Sequence, residues 1–166
     1  MSNIIQNNSL KTGEFTGSLL HSSDKKNDEV KISLFSYSED NFMENTIDKI
    51  NIGVLDLNQS EVHWLAVEGV HDMDVINEIG KTFGLHPLVL EDILNTNQRP
   101  KIENYENYIY VVAKMLLYDE KINEFTTEQE CFILGENFVI SFSERDLVIY
   151  DPIQDRLRKS QGHIRK

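Results

Sequence analysis

Between residues 83 and 117 the chain reads FGLHPLVLEDILNTNQRPKIENYENYIYVVAKMLL, and few folds accommodate that order of signals. Asp72 caps a helical pattern in which Ile76, Ile79 and Phe83 recur at helical spacing, and Gly84 supplies its stop. His86-Pro87 restarts the chain as a second, short helix, with proline at the first helical position, where its missing N–H costs nothing. Leu90, Ile93 and Leu94 face one way in this helix, while Glu91, Asp92 and Asn95 cluster on the other side. Residues 95–100 are turn chemistry. Residues 108–118 are apolar on both faces apart from Lys114, the pattern of a central strand covered from both sides. Two helices delivered onto such a strand require a sheet with helices packed on it.

The flanking sequence supplies more strands. Residues 30–37 alternate, with Val30, Ile32, Leu34 and Ser36 on one face and Lys31, Ser33, Phe35 and Tyr37 on the other. Residues 14–21 read as a short strand paired with them through a charged turn. Ser38-Glu39-Asp40-Asn41 has the capping residue and early acidic charge of a helix running to about Ile47. Residues 64–70 predict a strand ending near Glu68-Gly69, with Trp64 as a core or sheet-edge anchor. Residues 125–134 and 138–143 flank Gly135-Glu136-Asn137 and predict a hairpin. Asp151-Pro152 opens a last helix, with Arg156, Arg158 and Lys159 near its end. Residues 1–12 are polar and expected to form a flexible N-terminus ahead of one domain over 13–166. Strands before and after the helices imply an α/β fold with a mixed sheet.

Charge and composition narrow the function. Sixteen basic residues stand against 28 acidic ones, a formal net charge of −12, which repels nucleic acid and anionic headgroups and concentrates divalent cations. Cys131 is the single cysteine, so neither an internal disulfide nor a cysteine zinc cluster is available, and a small core residue is the expected role. The five histidines are scattered without HxH or HExxH spacing. The N-terminus lacks the features of a signal peptide, and no window approaches the ~20 apolar residues of a membrane span. No GxSxG, glycine-rich phosphate loop or GxGxxG occurs, so no catalytic residue is assigned.

Glu91 and Asp92 are the residues that could carry chemistry. Adjacent carboxylates on the polar side of a short helix offer the hard oxygen donors that magnesium accepts, and magnesium needs only one or two of them. Read without context, such a pair is commonly a solvated helix face. His86 is expected to cap or pack its helix, and Arg99 and Lys101 to position a turn or pair with Glu103. Lys114 is expected to snorkel to an edge or pair with an acid. Asp119, Glu120, Glu124, Glu128 and Glu130 read as a solvated edge, with weak collection of cations as the alternative.

The block HPLVLEDIL at 86–94, QRPKIE at 98–103, then Tyr105 or Tyr108, resembles the cytoplasmic domain of the CorA family of magnesium and cobalt transport proteins. The resemblance runs from about residue 30 to 166 and is strongest over 84–115. It implies an α/β/α sandwich, a mixed central sheet between two helical layers, ending where a long stalk helix begins. It further implies a regulatory domain on the cytoplasmic side of a membrane channel that assembles as a homopentamer. Asp92 would then lie at a contact between subunits and share a regulatory Mg2+ (Co2+ possible) with an acidic stalk residue beyond Lys166, and Glu91 would serve a nearby second site. A fragment holding half a site should bind the ion weakly and stay monomeric or weakly associated. The family's Gly-Met-Asn pore motif lies outside these residues. Zinc-transporting relatives share the architecture, and a stand-alone metal-dependent hydrolase or interaction module is the remaining alternative.

Overall fold

In the computed structural model, which describes residues 29–48, 60–119, 123–145 and 148–165, alternating segments form one sheet. Its strands are β1 (Lys31–Tyr37), β2 (Phe42–Thr46), β3 (Val62–Glu68), β4 (Lys101–Asn104), β5 (Ile109–Asp119), β6 (Glu124–Leu134) and β7 (Phe138–Ser143). They lie in the order β2-β1-β3-β7-β6-β5-β4. β3 and β7 pair in parallel, His63 opposite Phe138 and Leu65 opposite Ile140, and every other ladder is antiparallel. The helices are α1 (Met73–Phe83), α2 (Pro87–Leu94) and α3 (Asp151–Arg158).

Strand alternation gives the sheet two apolar faces. On one, Ile32, Leu65, Val67, Ile133 and Ile140 meet Ile76 and Ile79 of α1 and Val89 and Ile93 of α2 in a continuous core. Burying each of those aliphatic side chains contributes about 1.5–3 kcal/mol. On the other, Phe35, Trp64 and Ala66 pack with Leu157 of α3. Trp64 stacks on Phe35 at 4.9 Å between ring centroids, and its indole N–H donates to Ser141 Oγ at 2.9 Å. Helices therefore cover both faces of a mixed sheet, as expected.

Local chemistry sets the helix ends. Asp72 Oδ1 accepts the N–H groups of Asp74 and Val75, at 3.0 and 3.2 Å, and Gly84 stops α1 in the left-handed region at φ +64°. Gly80 permits the close approach of α1 to α2, since a Cβ there would lie 2.5 Å from Leu90 Cδ1.

Two expectations fail. Residues 42–46 form strand β2 rather than a helix, because Ser38 and Asn41 close a hairpin turn: Ser38 Oγ and the Asn41 carbonyl accept N–H groups across it at 3.1 and 3.0 Å. Both edges of β1 are taken, by β2 and β3; residues 14–21, expected to pair with it, and residues 51–59 lie outside the described residues. β5 is buried only on the face that carries Tyr110 and Val112: Ile109 on the other face is exposed, as are Leu116 and Tyr118 beyond the edge strand β4.

Candidate functional site

Asp92 occupies the last turn of α2, beside β4. Its Oδ2 lies 2.5 Å from Lys101 Nζ, which also holds Glu103 Oε1 at 2.8 Å and sits 5.5 Å from the centre of the Tyr110 ring. Tyr105 donates its hydroxyl to Glu103 Oε2 at 3.1 Å. Burial disfavours the Lys101 ammonium, but the carboxylates of Asp92 and Glu103 outweigh it and raise its pKa. The same ammonium holds the Glu103 carboxyl below the usual carboxylate range. Lys101 takes the pairing role expected of it and adds Asp92, so one cation sits between two acids.

The backbone carrying Asp92 is pinned from the sheet. Gln129 of β6, buried, donates its amide to the carbonyls of Asp92 and Asn95 at 3.3 and 3.0 Å, and its Oε1 accepts the Gln98 N–H at 2.9 Å. Lys114 reaches the Thr96 carbonyl at 2.8 Å and Gln129 Oε1 at 3.3 Å, so it braces this turn rather than pairing with an acid. His86 caps α2, its Nδ1 accepting the Leu88 N–H at 3.2 Å, and its own N–H donates to Tyr108 Oη at 2.9 Å. The motif residues His86, Asp92, Lys101, Glu103, Tyr105 and Tyr108 thus form one contact network around α2. Gln129, which closes it, lies 31 residues past Gln98 in the chain, and a lone glutamine in a strand gives no sequence signal of that role.

Asp92 is well placed to offer a hard donor. Its side chain is 19% exposed and Lys101 engages Oδ2 alone. Glu91, half-buried, is adjacent in sequence. Among the described residues no three histidine, cysteine or acidic side chains converge on a common point. Asp92 and Glu91 are hard oxygen donors of the kind Mg2+ accepts, and among the described residues they belong to no closed protein cage.

The acidic cluster departs from expectation. Glu124 is exposed, but Glu128 and Glu130 are 6% and 0% exposed, on the sheet face that carries Trp64: Glu130 lies where β7 pairs with β6 and under the Tyr150 hydroxyl, and Arg145 pairs with Glu128. Burial, with Glu128 and Glu144 nearby, pushes the Glu130 pKa up to about 7 against the opposing hydroxyls of Tyr150 and Ser143. Cys131, one residue on, points into the opposite core, where burial raises its thiol to about 11 and leaves it unreactive.

Comparison with known proteins agrees with this geometry. The family described as "CorA-like Mg2+ transporter protein" matches residues 59–166, which include the whole network around α2. The chain is 38% identical over 158 residues to the cobalt/magnesium transport protein CorA of Thermotoga maritima, covering 95% of itself and 45% of that protein. It therefore spans about half the length of this relative. In fold it is similar to the soluble domain of CorA from Methanocaldococcus jannaschii, with TM-score 0.56 and 14% identity over 79% of this chain and 47% of that one. The full-length CmaX protein is similar at TM-score 0.64 and 17% identity, over 83% and 42% of the two chains. No helix among the described residues is long and apolar enough to cross a membrane. With the family match covering well over half of its residues and the fold agreeing, the chain belongs to the CorA-like family of Mg2+ transporters.

Proposed function

We propose that these residues form the cytoplasmic regulatory domain of a membrane channel for divalent cations, Mg2+ or Co2+, rather than an enzyme, and that Asp92 and Glu91 are its ion-responsive groups. The observation that carries the reading is the fixed Asp92 carboxylate. Lys101 holds its Oδ2, Gln129 clamps the backbone beneath it, and the side chain stays 19% exposed. In a homopentamer, Asp92 would share a regulatory ion with an acidic group of a neighbouring subunit. The two carboxylates repel when bare and are drawn together while they hold the ion, so high internal magnesium favours the closed assembly. Lys101 offsets part of the charge on Asp92, which keeps the site weak enough to empty when magnesium falls.

The test uses the full-length protein. Asp92→Asn should raise the Mg2+ concentration that half-inhibits transport, by roughly tenfold for a coupling of about 1.4 kcal/mol. It should leave the fold and the maximal flux intact. Inhibition unchanged from wild type would rule out Asp92 as the sensing group.

A further inference from the structure

The sheet face under α3 holds a second acidic arrangement, built differently from the Asp92 network. Glu128 and Glu130 are two residues apart on β6, so both rise from one face with Cα atoms about 7 Å apart. Glu130 Oε2 accepts the Tyr150 hydroxyl at 2.7 Å and the Ser143 hydroxyl at 3.0 Å. Its Oε1 is buried and has no hydrogen-bond partner among the described residues. Glu128 Oε1 pairs with Arg145, while its Oε2 is likewise buried and unpartnered. Glu144 adds a third carboxylate, close enough to act on Glu130, and its Oε1 accepts the Gln129 N–H at 3.3 Å.

A buried carboxylate oxygen without a donor is expensive, and here two occur on neighbouring side chains of one face. Arg145 offsets the charge on Glu128, but the paired strands bring no base to Glu130. Glu130 lies opposite Ala113 and Ser143 in the ladders, and Glu128 lies opposite Met115, so no basic side chain comes from those positions. We propose that a hard divalent cation binds between Glu128 Oε2 and Glu130 Oε1, at a site distinct from Asp92. Two carboxylates with water completing the shell suit Mg2+, Mn2+ or Ca2+, and the cysteine that would favour a softer metal faces the other core. The Glu128 end gives the ion its way in, because the Arg145 side chain above it is 54% exposed. The site does not depend on the reading of Asp92.

A proton is the competing occupant, since Glu130 Oε1 carrying hydrogen could donate to a neighbouring acceptor. Terbium, a hard-cation probe, separates the two. Tyr150 touches Glu130 and its ring lies 5.6 Å from that of Trp64, so bound terbium would be sensitised by both. Titrating the whole chain, with Mg2+ and Mn2+ as competitors, should give emission excited through Trp64, which packs on the face that carries Glu130 and not on the face covered by α2. Glu130→Gln and Glu128→Gln should each weaken that binding by roughly tenfold or more, as expected when one of two carboxylate ligands is lost. Trp64-excited emission that persists unchanged in Glu130→Gln overturns the proposal. Thermal melting guards against misfolded variants: near pH 8, Mg2+ should raise the midpoint of the wild type but not of folded Glu130→Gln. Stability that responds to pH while ignoring the cation would assign the position to a proton instead and would also overturn the proposal.

Discussion

Glu130 illustrates how one side chain ties this domain's stability to pH. Its ordinary pKa is 4.5 and burial lifts it to about 7 in the folded protein. Between those values the native state holds a proton that the unfolded chain has released, so stability falls as pH rises through the window and levels off above it. The full loss is about 3 kcal/mol for a shift of this size. In the presence of a chelator, urea denaturation of the wild type should therefore show that decline between pH 5 and 8, while Glu130→Gln should show a flatter profile. Parallel profiles would mean that Glu130 is already ionised across the range. Lys101, whose pKa is also raised, contributes with the same sign but only at far higher pH. Its raised pKa keeps it charged throughout, so the Asp92–Lys101–Glu103 cluster stays paired at any physiological pH.

At the scale of elements, α1 and α2 act as one unit because Gly80 lets Leu90 approach the helix backbone. Gly80→Ala places a methyl carbon within 2.5 Å of Leu90 Cδ1 and should cost about 1–3 kcal/mol through overpacking. Gly84→Ala meets nothing within 4 Å and should lose only the left-handed backbone freedom of glycine, about 1 kcal/mol. Chemical denaturation of the two variants checks the order, and a larger loss at Gly84 would contradict the packing account. These elements were legible beforehand because their signals are local: a cap at Asp72, a stop at Gly84, proline after His86, and a glycine turn between β6 and β7. The place of Asp92 on the second helix was legible in the same way. The first strand pair was not, because Ser38-Glu39-Asp40-Asn41 suits a helix cap and a hairpin turn equally, and only pairing with β1 decides between them. Nor does any local pattern reveal that Glu128 and Glu130 are buried, or that Gln129 clamps α2. Both depend on which elements meet at β6, and that is a property of topology.

For the whole molecule, charge and surface point to a domain that does not associate strongly by itself. Leu116, Tyr118 and Phe125 form an exposed apolar tip on the β5–β6 hairpin, but copies of a chain with formal net charge −12 repel one another. Sedimentation velocity of these residues at physiological salt should return a monomer, and a stable pentamer would show that the domain alone drives assembly. The single parallel ladder carries a different consequence. β1, β2 and β3 on one side, and β4 to β7 on the other, are antiparallel groups whose strand ladders meet, among the described residues, where β3 pairs with β7, across some seventy intervening residues. Antiparallel neighbours close short loops and can form early, whereas this seam must wait for a long loop to close. The rate at which the domain folds is thus governed by one junction, the meeting of Leu65 with Ile140 and of Val67 with Phe142, and the two halves are the natural units in which it would come apart.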